Sequence, residues 1–363
     1  MRIYIEEKDF DLPDFINYCQ HNLHLPKSDD WRRSIYEFFD EWHNSSVFIT
    51  VNTSGSTGEA KPVSLQKKHV MASARATLQY LNIQPGGLAW LCLPANYIAG
   101  KMMIVRALVG GLDLLISKPE SSPSIPTQNT IALTAMVPSQ ISHFAAATNG
   151  LNNIEKSISH VLIGGATIPQ LLEDRLKQLT GTCLWHTYGM TETISHIAIR
   201  RMNGEDASPF FRPFPGVSVS KNDQGCLVID YLSIGVANLH TNDLATLNSN
   251  NTFSIDGRND FIINSRGIKL NPMKIERKLE NKLPCPFFVT GLQDSIRGEK
   301  VVLCIENKGD LLPNICHFWK IIENELQKPE IPQEIIFLDY FIRSENGKLK
   351  RQATSVLVNR SFE

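Results

Sequence analysis

Between Val47 and Thr187, short runs of β-branched and apolar residues alternate with stretches of helical pattern. This alternation is typical of βαβ units, whose crossovers align neighbouring strands in parallel. The predicted strands are 47–51, 88–94, 112–117, 131–138, 160–165 and 182–187. The predicted helices are 66–81, 99–108, 138–147 and 169–179. The sequence therefore predicts an α/β fold with a mostly parallel sheet.

The pattern changes after Thr191. Shorter β-like runs separated by Gly, Asn and Asp predict an antiparallel or β-barrel-like subdomain, and these runs are HIAIR, VSVS, CLVID, LATL and FSI. From Gly257 a basic segment leads to a helix that begins at Pro272, followed by further strands and helices. We expect a large domain over residues 1–256 and a smaller, mobile α+β lid domain over residues 257–363.

Charge and hydropathy exclude several classes of partner. The 36 Lys and Arg residues balance 37 Asp and Glu residues, so no overall basic field attracts nucleic acid or an anionic membrane. The N-terminus reads MRIYIEEKDF, with carboxylates where a signal peptide needs a positive flank and an apolar run, and no apolar stretch approaches membrane-spanning length. These features predict a cytoplasmic protein with neither nucleic acid nor a membrane as partner.

The seven cysteines are scattered and never form a Cys-x-x-Cys or Cys-x-x-His pair. An odd number without such spacing argues against a disulfide framework and against a zinc or haem site. We expect each cysteine to act as a small apolar residue.

The most chemically suggestive run follows the first predicted strand and is composed of Thr53, Ser54, Gly55, Ser56, Thr57, Gly58, Glu59, Ala60 and Lys61. Small residues let backbone N–H groups close around phosphate oxygens, while the hydroxyls and the lysine add donors and positive charge. The run is not a Walker A motif, because no hydroxyl residue follows the lysine. A flexible surface linker is the alternative interpretation.

Three later segments add weaker signals. Tyr188 to Glu192 (YGMTE) offers an aromatic ring for a purine, a hydroxyl for a phosphate and a carboxylate for magnesium, although the segment could be a simple helix cap. Asp243 and Arg258 are suited to the hydroxyls of a ribose, or to a surface ion pair. The tail carries NGKLKR at residues 346–351, which could equally be a solvated basic run.

In the order TSGSTGEAK, YGMTE, TND, GRNDFIINSRGIKLNP and NGKLKR, these segments resemble the motifs of the adenylate-forming superfamily, which includes acyl-CoA synthetases, adenylation domains and luciferases. The resemblance extends from Val47 to Arg351. It implies an ATP-dependent acid:CoA ligase that first forms an acyl-adenylate and then transfers the acyl group to coenzyme A, with ATP, Mg2+ and coenzyme A as its small-molecule requirements.

The resemblance also implies roles for individual residues. The run from Thr53 to Lys61 would hold the β- and γ-phosphates, Thr191 would contact the α-phosphate, and Glu192 would bind magnesium. Asp243 and Arg258 would bind the ribose. The adenine slot would be lined by Gly164, Gly165, Ala166, Tyr188 and Gly189.

The C-terminal motifs would serve the two half-reactions in turn. Lys348 would bridge the reacting carboxylate and the α-phosphate, which brings two anions together. Rotation about a hinge at Asp260 would then remove Lys348 and bring Gly267 and Lys269 toward the coenzyme A side. Two departures are visible: the segment before Thr53 is much shorter than in relatives, and Glu59-Ala60 replaces a pattern that often has proline before the lysine.

Within the superfamily, LPANYIAGKMMIVRAL and YGMTETISHIAIR resemble segments of the o-succinylbenzoate:CoA ligases of menaquinone biosynthesis. Such an acid has one carboxylate to activate and a second to recognise, so its pocket needs a cation or hydrogen-bond donors beside apolar contacts. The candidate contacts are Tyr97, Lys101, Thr193, Ser195 and His196. For Lys101 the alternative is a helix-surface charge, and for His196 an exposed edge-strand position.

Other functions stay open on the sequence alone. The chain could activate a different acid or load a carrier protein. It could be an ATPase or kinase, which would release ADP instead of AMP, or a non-catalytic nucleotide-binding protein. A homodimer is one option for its assembly.

Overall fold

The computed structural model describes residues 1–24, 30–52, 62–126, 130–307, 315–343 and 349–360. Its strands in chain order are β1 (Arg2–Ile5), β2 (Lys8–Asp11), β3 (Phe48–Asn52), β4 (Pro62–Gln66), β5 (Leu88–Leu91), β6 (Asp113–Ile116), β7 (Ile131–Met136), β8 (Ile158–Ile163), β9 (Cys183–Gly189), β10 (His196–Arg201), β11 (Arg212–Pro213), β12 (Ser218–Lys221), β13 (Cys226–Tyr231), β14 (Val236–Leu247), β15 (Phe253–Arg258), β16 (Ile263–Ser265), β17 (Ile268–Leu270), β18 (Phe287–Asp294), β19 (Gly298–Glu306) and β20 (Glu334–Leu338).

The helices in chain order are α1 (Leu12–Leu23), α2 (Arg33–His43), α3 (Lys67–Tyr80), α4 (Ile98–Gly110), α5 (Pro138–Ala146), α6 (Gly150–Ser157), α7 (Gln170–Leu176), α8 (Pro272–Leu279), α9 (Ile315–Glu325) and α10 (Arg351–Arg360). One helix signal in the sequence is confirmed. Helix α8 begins at Pro272, with the Asn271 side chain capping the Met273 N–H at 3.0 Å. Helix α4 ends at Gly110, and the next residue, Gly111, adopts a left-handed conformation at φ 62° that terminates it.

A nine-stranded sheet forms the centre of the fold, in the order β11-β10-β9-β8-β7-β5-β6-β1-β2. The strands from β9 to β1 run parallel, and antiparallel strands complete both edges. Alternate residues of β5 bury into different cores: Ala89 and Leu91 pack with α1 to α4, and Trp90 packs with α5 to α7. The predicted α/β class with a mostly parallel sheet is thus confirmed.

The N-terminal segment contributes to this sheet, which the sequence reading did not predict. Strand β1 pairs in parallel with β6, so that Ile3 lies opposite Leu114, and Ile3 and Ile5 are buried. Strand β2 then turns back along β1 as the antiparallel edge. Although the segment before Thr53 is short, it supplies two strands of this sheet, helices α1 and α2, and strand β3.

Two predicted strands have partners that differ from the prediction. The run at 47–51 was assigned to the parallel sheet, but β3 pairs antiparallel with β4 as a separate two-stranded hairpin. The HIAIR run was assigned to the antiparallel subdomain, but β10 pairs with β9 in the large sheet. Periodicity identifies a strand without identifying its partner, because pairing depends on residues far away in the chain.

Two smaller sheets follow. Strands β12 to β15 form an antiparallel sheet, and β16 to β20 form a five-stranded sheet with α8 and α9 packed into its own hydrophobic core. The proposed boundary at Asp256 falls inside β15, which continues to Arg258, so the division into domains 1–256 and 257–363 stays a prediction. In the described parts of the chain, no helix combines the length and apolarity needed to cross a bilayer.

Candidate active site

The predicted nucleotide residues gather where two parallel strands end side by side. Gly164 and Gly165 follow β8, and Tyr188 and Gly189 end β9, which is its neighbour in the sheet. The carboxyl ends of parallel strands are the usual place for ligands in α/β folds. The structure therefore brings together two segments that are separated in the sequence.

Gly164 and Gly165 are both required by local geometry. A Cβ atom on Gly164 would overlap the Thr187 side-chain hydroxyl, which itself donates to the Ile163 carbonyl at 3.2 Å. Gly165 has a φ of 87°, a conformation that residues with a side chain rarely adopt. The turn after β8 thus lies close against β9, and its backbone is open to an approaching ligand.

The candidate ribose residues form an ion pair, and Tyr188 is hydrogen-bonded to it. The Tyr188 hydroxyl donates to Asp243 Oδ2 at 2.6 Å, and Asp243 Oδ1 lies 3.6 Å from Arg258 Nη1. Asp243 and Arg258 are directly opposite each other on β14 and β15. Burial, then the charge of Asp243 and the hydrogen bond to it, raises the pKa of Tyr188, so the phenol remains protonated and acts as a donor.

Arg258 also reaches the predicted hinge. Its Nε and Nη2 atoms donate to the two carboxylate oxygens of Asp260 at 2.8 and 2.7 Å. The hydrogen bonds to Asp260 raise the pKa of Arg258. One guanidinium therefore lies between the candidate ribose carboxylate and the residue assigned to the hinge.

A half-buried histidine supports the turn that carries Ala166. His186 forms a hydrogen bond with the Ala166 backbone and accepts from Arg200 Nε at 3.1 Å. Arg200 in turn donates to both carboxylate oxygens of Glu173, at 3.0 and 2.7 Å. Burial, and next the charge of Arg200, lowers the pKa of His186 to about 3, so the ring is neutral near pH 7.

After Gly189 the chain makes a strained turn. Thr191 to Thr193 form one turn of 3-10 helix, and the Ser195 N–H then donates to the Thr193 carbonyl at 2.7 Å. Ile194, between them, has φ 65° and ψ −57°, which is a γ-turn that a β-branched residue adopts only under strain. Gly189 permits this turn, because a Cβ there would overlap the Ser195 carbonyl and the His196 Cα. Strain of this kind often accompanies functional sites.

Thr191 and Glu192 lie on this turn, with Glu192 exposed and Thr193 fully buried. An exposed carboxylate beside a hydroxyl is a suitable partner for a Mg2+ ion that keeps several ligands from phosphate and water. Over the described ranges, no group of three or more His, Cys, Asp or Glu side chains could hold a metal ion by itself. The metal role of Glu192 stays a prediction.

Arg106 is a buried cation that the sequence reading missed. It is 2 % exposed, and its Nη2 lies 3.5 Å from Ser195 Oγ while its Nη1 lies 3.9 Å from Met103 Sδ. Among the described residues, its Nε has no hydrogen-bond partner and no carboxylate lies within ion-pair distance of the guanidinium. Burial lowers the pKa of Arg106 to about 9, which still leaves it protonated at neutral pH.

Two of the predicted acid contacts lie beside Arg106 and are held by helix α3. Ser195 Oγ lies 2.8 Å from Ser73 Oγ, and His196 Nε2 lies 2.9 Å from Thr77 Oγ1. Ser73 and Thr77 are one helical turn apart, so they face the same side. His196 is buried, which excludes the exposed edge-strand alternative, and burial followed by the charge of Arg106 lowers its pKa well below the ordinary value.

Lys101 already has partners in the structure. Its Nζ donates to Glu41 Oε2 at 3.0 Å and to the Thr50 carbonyl at 2.7 Å, and it lies 4.8 Å from the centre of the Phe38 ring. The surface-charge alternative does not apply, because Lys101 is buried. Tyr97 is the residue before α4, and its contact with an acid, like that of Lys101, stays a prediction.

Several assigned residues lie elsewhere. Thr53 to Lys61 and Lys348 are outside the described residues. Gly267 lies at the tip of the β16–β17 hairpin, where Arg266 and Gly267 have φ values of 53° and 78°, as a type I′ turn requires. Lys269 is exposed on β17. This hairpin presents both residues on a tight projection, and their role on the coenzyme A side stays a prediction.

Known proteins resemble this chain over nearly its whole length. A 2-succinylbenzoate--CoA ligase of Bacillus cereus strain ATCC 10987 is 26% identical over 98% of this chain and 78% of its own. The crystal structure of an acyl-CoA synthetase (AMP-forming)/AMP-acid ligase II-like protein from Dyadobacter fermentans is 28% identical, with a TM-score of 0.61 over 94% of this chain and 98% of that one.

A third similarity concerns the fold alone. The o-succinylbenzoate coenzyme A synthetase of Bacillus subtilis, solved with ATP and a magnesium ion, is 19% identical with a TM-score of 0.68 over 84% of this chain and 69% of that one. The AMP-binding enzyme family matches residues 20–228, which is more than half of the 363 residues. With the glycine turn after β8, the YGMTE segment that begins at the end of β9 and this match, the chain belongs to the adenylate-forming family of AMP-binding enzymes.

Proposed function

We propose that the protein is an AMP-forming acid:CoA ligase whose acid is o-succinylbenzoate. The carboxylate would be activated by ATP as an acyl-adenylate, and the acyl group would then pass to the thiol of coenzyme A. Relatives that carry the name 2-succinylbenzoate--CoA ligase support this acid, and the buried Arg106 is the observation on which the choice depends.

Arg106 favours an acid with a second anionic group. A guanidinium taken out of water without a carboxylate costs free energy, and a ligand that supplies the missing charge recovers much of that cost. The planar guanidinium suits a carboxylate, with which it can form two parallel hydrogen bonds. The Arg106 Nε, which has no partner among the described residues, and the nearby Ser195 hydroxyl could both donate to such a carboxylate. A dicarboxylic acid could place one carboxylate at Arg106 and present the other to ATP.

The first half-reaction requires charge neutralisation more than a general base. The attacking carboxylate and the α-phosphate are both anionic, so alignment and positive charge contribute most of the rate. We assign Lys348 to bridging these two groups, Thr191 to the α-phosphate and Glu192 to holding magnesium, which would neutralise phosphate charge when bound. Tyr188 and Gly189, with the turn at Gly164 to Ala166, would enclose the adenine.

Asp243 and Arg258 would hold the ribose in the same step. Tyr188 already orients Asp243 through a 2.6 Å hydrogen bond, so the carboxylate is in place before the nucleotide binds. For the second half-reaction, rotation at Asp260 would replace Lys348 by the hairpin that carries Gly267 and Lys269.

An acid panel tests the assignment. The purified protein is incubated with ATP, Mg2+, coenzyme A and one of o-succinylbenzoate, benzoate or hexanoate, and pyrophosphate, AMP and thioester are measured. We expect o-succinylbenzoate to give the highest kcat/KM. Equal rates with all three acids would overturn the acid assignment and leave the ligase class, whereas ADP as the product would overturn the class itself.

Substitution of Arg106 links the preference to the structure. Arg106→Met should lower kcat/KM for o-succinylbenzoate by roughly 30-fold or more, since loss of one partner of a buried charge pair costs at least about 2 kcal/mol. The value for benzoate, which lacks the second carboxylate, should change little. Arg106→Lys keeps the charge without the planar pair of donors, so its kcat/KM for o-succinylbenzoate should lie between those of the wild type and Arg106→Met. A parallel loss with both acids would show that Arg106 does not recognise the second carboxylate.

A further inference from the structure

One residue of β3 has both of its main-chain polar groups bound by an ion pair. The Thr50 N–H donates to Glu41 Oε1 at 2.6 Å, and the Thr50 carbonyl accepts from Lys101 Nζ at 2.7 Å. Lys101 Nζ also lies 3.0 Å from Glu41 Oε2. Helix α2, helix α4 and β3 are thus joined in a closed ring of three hydrogen-bonded groups.

This ring stabilises a strand pair that has little other support. Strand β3 pairs only with β4 among the described strands, with Thr50 opposite Ser64, and two-stranded hairpins are marginally stable by themselves. Ile49 and Val51 anchor one face in the core. The N–H and C=O of Thr50 bond to Glu41 and Lys101, so these side chains take the place that a third strand would occupy.

The surroundings of Lys101 make the ring geometrically specific. Lys101 is 8 % exposed, and its ammonium lies over the Phe38 ring at 4.8 Å. A buried ammonium requires a counter-charge and satisfied donors, which Glu41 and the Thr50 carbonyl provide. The position of Thr50 is therefore determined by two helices as well as by strand pairing.

The position of Thr50 in the chain gives this ring a functional consequence. Strand β3 ends at Asn52, and the next residue is Thr53, the first of the run assigned to the β- and γ-phosphates. We propose that Glu41 and Lys101 are positioning residues for ATP: they hold the strand from which the phosphate-binding run begins. This inference rests on the nucleotide half of the proposed function and is independent of the acid.

The inference gives Lys101 a role different from contact with the acid, and the two roles predict different measurements. An acid-binding lysine affects the KM of the acid and leaves ATP binding in the absence of acid unchanged. A positioning lysine affects the binding of ATP without acid present. It should not affect AMP, which lacks the β- and γ-phosphates. The ratio of ATP affinity to AMP affinity therefore separates the two roles.

Calorimetric titration of the full-length protein with ATP in the presence of Mg2+, and separately with AMP, tests the inference. Lys101→Met keeps most of the side-chain volume over Phe38 and removes the ammonium. We expect it to raise the Kd of ATP by about tenfold or more, in line with the loss of charged hydrogen bonds, and to leave the Kd of AMP within about twofold. Glu41→Gln should raise the Kd of ATP less, because the amide oxygen still accepts from Thr50. Lys101→Arg should restore most of the ATP affinity.

Lys67→Met is a local control. The Lys67 ammonium bonds to the Asn44 carbonyl at 3.1 Å, ahead of β3, and does not contact Thr50. The Lys67→Met variant should therefore keep the wild-type ratio of ATP affinity to AMP affinity. Equal weakening of ATP and AMP binding in Lys101→Met would overturn the inference in favour of a general structural role. A change confined to the KM of the acid would overturn it in favour of contact with the acid. Wild-type protein that binds neither nucleotide would overturn the nucleotide site as a whole, whereas wild-type binding with an unaltered ratio in Lys101→Met overturns this inference alone.

Discussion

The hydroxyl of Tyr188 donates a 2.6 Å hydrogen bond to Asp243 Oδ2 and thereby joins the large parallel sheet to the neighbouring antiparallel sheet. Tyr188 ends β9, and Asp243 lies in β14 opposite Arg258. Both side chains are candidates for the nucleotide, one for its base and one for its ribose. The hydrogen bond fixes the distance between these two parts of the site before any ligand binds.

Tyr188→Phe should weaken nucleotide binding while the fold is retained. The change removes the donor to Asp243 and keeps the aromatic ring, so base stacking remains and the ribose carboxylate loses its orientation. We expect the Kd of ATP and that of AMP to rise together by roughly tenfold or more, since a hydrogen bond to a charged group is worth about 1.5–3 kcal/mol. Calorimetric titration measures both. A larger effect on ATP than on AMP would contradict a role at the ribose.

Arg106→Met should stabilise the protein in the absence of substrate. It removes a buried positive charge that has no carboxylate within the described residues, so the free energy of unfolding should rise by about 1–3 kcal/mol. Urea denaturation measures this. o-Succinylbenzoate should raise the melting temperature of the wild type and have no such effect on the variant.

Arg200→Met provides the matched control for Arg106. Arg200 is also buried, but both of its terminal nitrogens bond to Glu173, and its removal takes both short hydrogen bonds from that carboxylate and leaves the Lys177 ammonium 3.7 Å away. We expect a loss of about 3–5 kcal/mol in the free energy of unfolding. If Arg106→Met and Arg200→Met destabilised the protein equally, Arg106 would have a structural role like that of Arg200.

Gly164→Ala should distort the turn after β8, because the added Cβ would overlap the Thr187 hydroxyl. We expect a loss of about 1–3 kcal/mol in the free energy of unfolding, together with weaker ATP binding. Adding Thr187→Ala removes that hydroxyl, and the next contact, the Thr187 Cβ at 3.5 Å, is an ordinary one. The double variant should therefore be more stable than the sum of the two single changes implies. Simple additivity in urea denaturation would contradict the close packing of this turn on β9.

The stability of the protein should fall on acidification, in part through His186. Its pKa is about 3 in the folded protein because of burial and the charge of Arg200, against 6.5 for an exposed histidine. The unfolded chain therefore binds a proton below about pH 6.5 that the folded protein does not. The contribution of His186 is complete above that pH and declines as the pH falls toward 3.

His186→Gln tests this contribution. A glutamine can still accept from Arg200 and donate to Ala166, but it does not titrate. Urea denaturation between pH 4.5 and pH 7.5 should show a shallower slope of stability against pH in the variant, by up to about 1.4 kcal/mol per pH unit. His196 also has a lowered pKa, so some slope should remain. Identical slopes would place the acid sensitivity elsewhere.

Lys348→Ala tests the catalytic assignment in the C-terminal tail. If Lys348 contacts the carboxylate and the α-phosphate mainly in the transition state, acyl-adenylate formation should fall by several orders of magnitude, with ATP affinity largely kept. Single-turnover pyrophosphate release and calorimetric titration measure the two quantities. An unaffected adenylation rate would remove Lys348 from the mechanism and would favour a non-catalytic nucleotide-binding protein.

The sequence by itself determined those features that depend on local pattern. Alternating strands and helices predicted the parallel sheet, Pro272 predicted the start of α8, and ordered motifs indicated the family before any contact was known. These signals are local because strand and helix periodicities, caps and short ligand-binding segments each depend only on residues that are close in sequence.

Only the tertiary structure decided which charged side chains are free for a ligand. Lys101 and Arg106 lie on the same helix and both look suitable for an anion, yet Lys101 is neutralised by Glu41, 60 residues away, whereas Arg106 reaches Ser195, 89 residues away, and retains an unused donor. The same limit explains the unpredicted partners of β3 and β10. A side chain's partners are set by packing between distant segments, and that information is absent from the pattern around the residue itself.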